Sequence, residues 1–90
     1  MPAGLYLLDE PEAALSPTSQ LALLATMMDL VREEAQFVVA THSPILLACP
    51  GAQIYSFDAS PPEAVAYGDV EHVRLTREFL AEPARFLRHM

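Results

Sequence analysis

Leu5-Tyr6-Leu7-Leu8-Asp9-Glu10 runs four apolar residues into two acids. A short continuous apolar run of this kind suits a strand of a parallel sheet, buried on both faces. In open α/β sheets ligands bind outside the carboxyl ends of the strands, so the two acids stand where chemistry is expected. Working outward, Ser16-Pro17 supplies an N-cap and a proline for a first helical position. Leu21, Leu24, Met28 and Val31 follow at spacings of three or four and predict one apolar helix face, fading near Glu33-Glu34. Phe37-Val38-Val39-Ala40 predicts a second buried strand. Ser43-Pro44 repeats the cap-and-proline start for a short helix through Ala48, which Pro50-Gly51 breaks. Gln53–Phe57 predicts a third strand, Ser60-Pro61-Pro62 a turn, and Ala64–Tyr67 a short edge strand. Thr76 is the expected cap of a late helix through Phe79 and Leu80, and Pro83 restarts one through Phe86 and Leu87. The order strand, helix, strand, helix, strand predicts a three-layer α/β fragment with a mainly parallel sheet.

Composition narrows the function classes. Ninety residues fit one small domain, and 52% hydrophobic content argues against disorder. Net charge is −7, from twelve acids against five arginines with no lysine. That balance disfavours nucleic-acid binding by this segment alone, because phosphate neutralisation needs clustered cations. Nucleic acid would be reached only through other parts of a larger protein. Cys49 is the single cysteine, which excludes an internal disulfide and fits a reducing compartment. No apolar stretch approaches the roughly 18 residues of a membrane span, and the first residues lack the form of a signal peptide. The expectation is a soluble, cytoplasmic protein with no membrane partner.

Two loci carry chemistry. Mg²⁺ prefers oxygen ligands and commonly takes one carboxylate with phosphates and waters, a role open to Asp9. Glu10, one residue on, is suited to polarising or deprotonating a water. Taken alone, the pair reads equally as acids of a strand-to-loop turn. Ala40-Thr41-His42-Ser43-Pro44 closes the next apolar strand. Consecutive strands are often neighbours, so His42 should emerge beside the two acids, where an imidazole can hydrogen-bond a phosphate or a water. The bland alternative is a loop-capping histidine. His72, His89 and Cys49 are too scattered to name a zinc site, and Met27-Met28 reads as core.

These stretches resemble the ATP-binding-cassette (ABC) ATPases. Leu5–Pro11 is similar to a Walker B strand with its following glutamate, Glu12–Pro17 to a D-loop, and Ala40–Pro44 to a switch-histidine loop. The three occur in the family's order within the first half of the chain. Their wording looks closest to soluble ATPases related to recombination, repair and phage-exclusion proteins. The resemblance implies a P-loop NTPase fold with ATP and Mg²⁺ as cofactors. It implies that Asp9 holds the metal, Glu10 positions or activates water, and His42 senses the γ-phosphate. Ala14, Leu15 and Ser16 would face the partner subunit of a nucleotide-sandwiched dimer, with Ser16 contributing to nucleotide binding. Leu75–Leu80 is similar to the family's C-terminal helix, without assigned chemistry.

The departures are equally informative. No G-x-x-x-x-G-K-[ST] phosphate loop is present, nor a Q-loop or a Leu-Ser-Gly-Gly-type signature. In the family these precede Walker B. Residues 1–90 therefore read as the C-terminal part of an ATPase domain: a truncated product, a misplaced start or one piece of a split protein. Such a chain would be active only with the missing half or a second ATPase subunit, and its uncovered surface predicts homo-oligomers. The alternative is a non-catalytic remnant that serves, if anything, as a protein-interaction module.

Overall fold

The computed structural model describes residues 4–58 and 60–90. The chain divides into two compact units, Met1–Ala52 and Gln53–Met90.

The first unit is a β-α-β crossover. Strand β1, Gly4–Asp9, pairs in parallel with β2, Ala35–Ala40, from Gly4 opposite Ala35 through to Asp9 opposite Ala40. Helix α1, Pro17–Arg32, connects them and packs against β2. A parallel pair needs such a crossover, because a tight turn can only return a strand antiparallel. The helix starts as the sequence predicts. Ser16 is its N-cap, with the hydroxyl accepting from the Ser19 N–H at 3.2 Å, and Pro17 takes the first helical position. It ends at Arg32, where Glu34 turns the chain at φ 72° before β2 begins.

Side chains alternate across a strand, which divides the pair into two faces. Tyr6, Leu8, Phe37 and Val39 are half-buried, and the Tyr6 and Phe37 rings stack at 5.1 Å. Leu5, Leu7 and Val38, on the opposite face, are 61%, 71% and 56% exposed. The expected burial of both faces is therefore corrected: one face is covered and the other is bare. The expected apolar face of α1 is corrected too. Met27 is buried, with Leu23, Leu24, Met28 and Leu30 half-buried, whereas Leu21 and Val31 are exposed. Leu, Ala, Met and Val surround α1, so spacing alone could not single out the buried side. After β2, Ser43 caps a tight turn by accepting from the N–H groups of Ile45 and Leu46, and Leu46–Ala48 forms one 3₁₀ turn rather than a longer helix.

The second unit holds an antiparallel hairpin, β3 (Ile54–Ser56) with β4 (Glu63–Val65). Among the described residues these strands form their own sheet, so the parallel sheet is two-stranded and the third predicted strand does not extend it. A 3₁₀ turn, Tyr67–Asp69, replaces the end of the expected edge strand. Helix α2 spans Glu71–Ala81, which puts Thr76 in mid-helix rather than at a cap. Its helical pattern extends one turn and more ahead of Thr76 through the buried Val73. Non-helical Glu82, at φ −153° and ψ 77°, separates α2 from α3, Pro83–Leu87, in keeping with the bias of a residue before proline against the helical region. Phe79 and Phe86 meet edge to face at 5.8 Å across that break. What the structure establishes is a small α/β chain with a two-stranded parallel sheet in its first unit; a complete three-layer sheet is absent among the described residues. None of its described helices is long and apolar enough to cross a membrane.

Candidate functional site at the carboxyl edge of the parallel pair

Parallel pairing in full register sends β1 and β2 out of the sheet at the same level. Asp9 lies opposite Ala40, and the Glu10 N–H donates to the Ala40 carbonyl at 2.7 Å, which closes the ladder. The two polar termini that the sequence suggests thus share one edge. Glu10 then enters the left-handed region at φ 46°, ψ 54°, and Pro11–Ala14 follows as a 3₁₀ turn. This reversal brings Glu10 against the loop after β2. His42 Nδ1 stands 3.2 Å from Glu10 Oε1, and both side chains reach solvent, at 78% and 56% exposure. Asp9 is exposed, and its carboxylate has no hydrogen bond or ion pair among the described residues.

A second carboxylate organises this edge. Glu12 Oε1 accepts from the Thr41 hydroxyl at 2.6 Å, while Oε2 accepts from the His42 N–H at 3.2 Å. Thr41 Oγ1 accepts in turn from the Ser43 N–H at 3.0 Å. Burial pushes the Glu12 carboxyl up. Hydrogen bonds from Thr41, its own N–H and the His42 N–H, with the His42 charge, outweigh that and hold it below its ordinary value. On the other side of the loop, buried Ser43 donates its hydroxyl to Gln20 Oε1, and Gln20 Nε2 donates to the Leu15 carbonyl at 3.2 Å. The loop after β2 is consequently tied both to the turn after β1 and to the first turns of α1.

Of the residues expected from sequence, Glu10 and His42 come together, while Asp9 shares their edge through the strand register, its side chain in contact with neither. Ser16 lies at the start of α1, its hydroxyl engaged by the cap and by a 3.1 Å bond to Ser19 Oγ. Sequence reasoning missed Glu12 and Gln20 as organisers. Gln20 had a readable signal: it is the one polar member of a row that continues through Leu23, Leu24 and Met27. Elsewhere in this unit, Met28, Val31, Arg32, Cys49 and Pro50 line a cavity of about 190 Å³. Burial pushes the Cys49 thiol up, the opposite of nucleophile activation.

Residues 1–48, just over half of the 90-residue chain, match the family model described as AAA domain, putative AbiEii toxin, Type IV TA system. The chain belongs to this family. Its membership relates it to AAA-type P-loop ATPases and gives it a nucleotide-binding origin. The AAA-domain match covers the whole carboxyl-edge site, from Asp9 through Ser43, and stops at the 3₁₀ turn that follows. No curated protein and no solved structure matches the chain.

Proposed function

We propose that this AAA-family chain carries the metal- and water-handling edge of an ATP-hydrolysing site of the ABC type, with the phosphate cradle supplied from outside these 90 residues. The observation that carries the reading is the 3.2 Å approach of His42 Nδ1 to Glu10 Oε1, made across two different loops and in full contact with solvent. An exposed pair contributes little to folding, so its position at the carboxyl edge, where ligands bind in open α/β sheets, is better explained by chemistry.

An oxygen-only donor set of this kind suits a hard cation such as Mg²⁺. Among the described residues no three His, Cys, Asp or Glu side chains gather as a self-sufficient metal cage. Mg²⁺ instead takes one or two carboxylates and completes its shell with phosphates and water, and Asp9 offers such a carboxylate, unengaged. Bound there, the ion would neutralise charge on the nucleotide phosphates. Glu10 then orients and polarises the attacking water, its carboxylate acting as acceptor. His42, joined to Glu10 and held by its own N–H, would offer its imidazole as the hydrogen-bonding group for the terminal phosphate. Ser16, with Ala14 and Leu15, belongs to the surface offered to a second ATPase subunit, and its hydroxyl would contact that subunit's nucleotide.

The test uses the 90-residue chain with Mn²⁺-ATP, since Mn²⁺ replaces Mg²⁺ at oxygen sites and broadens nearby NMR signals. Selective broadening of the amides of Asp9, Glu10 and His42, abolished by Asp9→Asn, is expected at millimolar nucleotide. Equal broadening at Glu33-Glu34 and the site, or broadening that survives Asp9→Asn, would remove Asp9 from the metal and defeat the reading.

A further inference from the structure

Glu12 is the part of this edge that the proposed reaction leaves without work. A carboxylate two residues from Glu10 would be expected to point to solvent, yet it is half-buried and both of its oxygens are occupied. Its two donors, the Thr41 hydroxyl and the His42 N–H, are consecutive residues of the loop that carries the imidazole. We infer that Glu12 is a positioning residue: it fixes the backbone of His42 so that the imidazole meets Glu10. The inference rests on the proposed roles of Glu10 and His42, although the positioning itself is a property of the chain without nucleotide.

The physical argument is one of degrees of freedom. His42 is 78% exposed at its side chain, so packing does little to orient the ring. An exposed ring is directed in part by the backbone it hangs from, and a loop backbone is held by its hydrogen bonds. The Glu12 carboxylate supplies two charge-assisted bonds, the stronger class, to adjacent residues. Thr41 passes the constraint onward by accepting from the Ser43 N–H, and Ser43 is fixed independently by Gln20. The His42 backbone is thus anchored at its own amide by Glu12 and one residue later, at Ser43, by Gln20. Glu10 and Glu12 lie on either side of Pro11, whose ring locks φ and narrows the backbone between them, while one grips the His42 backbone and the other meets its ring.

Chemistry also favours the carboxylate. Each of its oxygens accepts one of the two converging bonds with the help of its charge. A glutamine would keep one oxygen for the His42 N–H, meet the Thr41 oxygen only as an N–H₂ donor, and bring no charge to either bond.

The experiment is NMR on the isolated chain, with no nucleotide present. In the unmodified protein, the His42 amide proton shift should follow titration of the Glu12 carboxylate. Glu12→Gln should abolish that inflection and speed His42 amide exchange by about 10-fold or more, the scale of one lost charge-assisted bond, while the β1 and β2 amides stay protected. Thr41→Ser, which keeps the hydroxyl, should retain protection, and Thr41→Val should lose it. A double-substitution cycle supplies the readout that separates positioning from simple support. Glu10→Gln should shift the His42 ring ¹⁵N signals in the parent and do so less in the Glu12→Gln background. A His42 amide without the inflection in the unmodified protein, or equal ring shifts in both backgrounds, would overturn the inference. Should Glu12→Gln fail to fold, the parent titration and the Thr41 pair decide it. Failure here with intact Mn²⁺-ATP broadening would sink Glu12 alone, and the reverse outcome would sink the ATPase reading alone.

Discussion

Replacing Glu10 by glutamine separates a catalytic carboxylate from an acid that merely ends a strand. The structure sets the two magnitudes. Glu10 contacts His42 through an exposed pair, 56% and 78% open to solvent, and such pairs are worth at most about 1 kcal/mol. Its contribution to the fold is mainly the backbone N–H bond to Ala40, which glutamine keeps. The melt of Glu10→Gln should therefore stay close to that of the parent. Loss of a general base or water-polarising charge costs roughly 10²-fold or more in rate, about 2.7 kcal/mol in barrier height. The effect on rate should thus exceed the effect on stability by well over a kilocalorie per mole. The assay is single-turnover ATP hydrolysis by protein reconstituted with a phosphate loop, in cis or in trans, beside equilibrium nucleotide binding. Nucleotide binding should persist while hydrolysis slows, so that ATP remains bound. Hydrolysis at the parent rate would make Glu10 a turn residue. Binding lost in step with hydrolysis would mean that Glu10 serves the nucleotide or the fold, not the water.

Two further outcomes follow from packing and from charge. Met27, 6% exposed, is one of four buried hydrophobic residues among the described residues, so Met27→Ala should cost about 2–5 kcal/mol and abolish a cooperative melt of the first unit, read by circular dichroism. Glu12, flanked by His42 and with Glu10 on the same edge, has a folded pKa below its ordinary 4.5, so it stabilises the fold above that value. That contribution should disappear as pH falls through the lowered value, and Glu12→Gln should flatten this part of the acid-denaturation curve.

The β-α-β unit was legible because its signals are local. The apolar run Leu5–Leu8, the Ser16-Pro17 start and Phe37–Ala40 each act through nearest neighbours, and the structure has a strand, a helix and a strand there. Parallel pairing followed from the helix between them, and it sends the turn that carries Glu10 and the loop that carries His42 out of one edge. The rest depended on what lies across from each residue. Tyr6 and Leu7 are equally apolar in sequence, and only the packing of α1 covers one face and leaves Leu7 bare. The hairpin of β3 and β4 pairs with itself, a choice of partner that no strand announces in its own composition. Glu12 looked like one acid among twelve. Its role lies in bonds spanning 29 and 30 positions, beyond the reach of any spacing rule.

The left-handed backbone of Glu10 carries a last consequence, best seen beside Glu34, which adopts a similar conformation at φ 72°. An L-residue in this region is disfavoured by roughly 1–2 kcal/mol, a penalty that glycine escapes. At position 34 the conformation belongs to the end of a helix, and a glycine there would serve the same turn with nothing lost. At position 10 a glycine would relax the turn and erase the carboxylate beside His42. Folding and chemistry therefore pull in opposite directions at one residue of this chain and in the same direction at another. Selection for stability alone would drift both positions toward glycine or asparagine, so the identity of residue 10 among close kin is a gauge of whether the site is still in use.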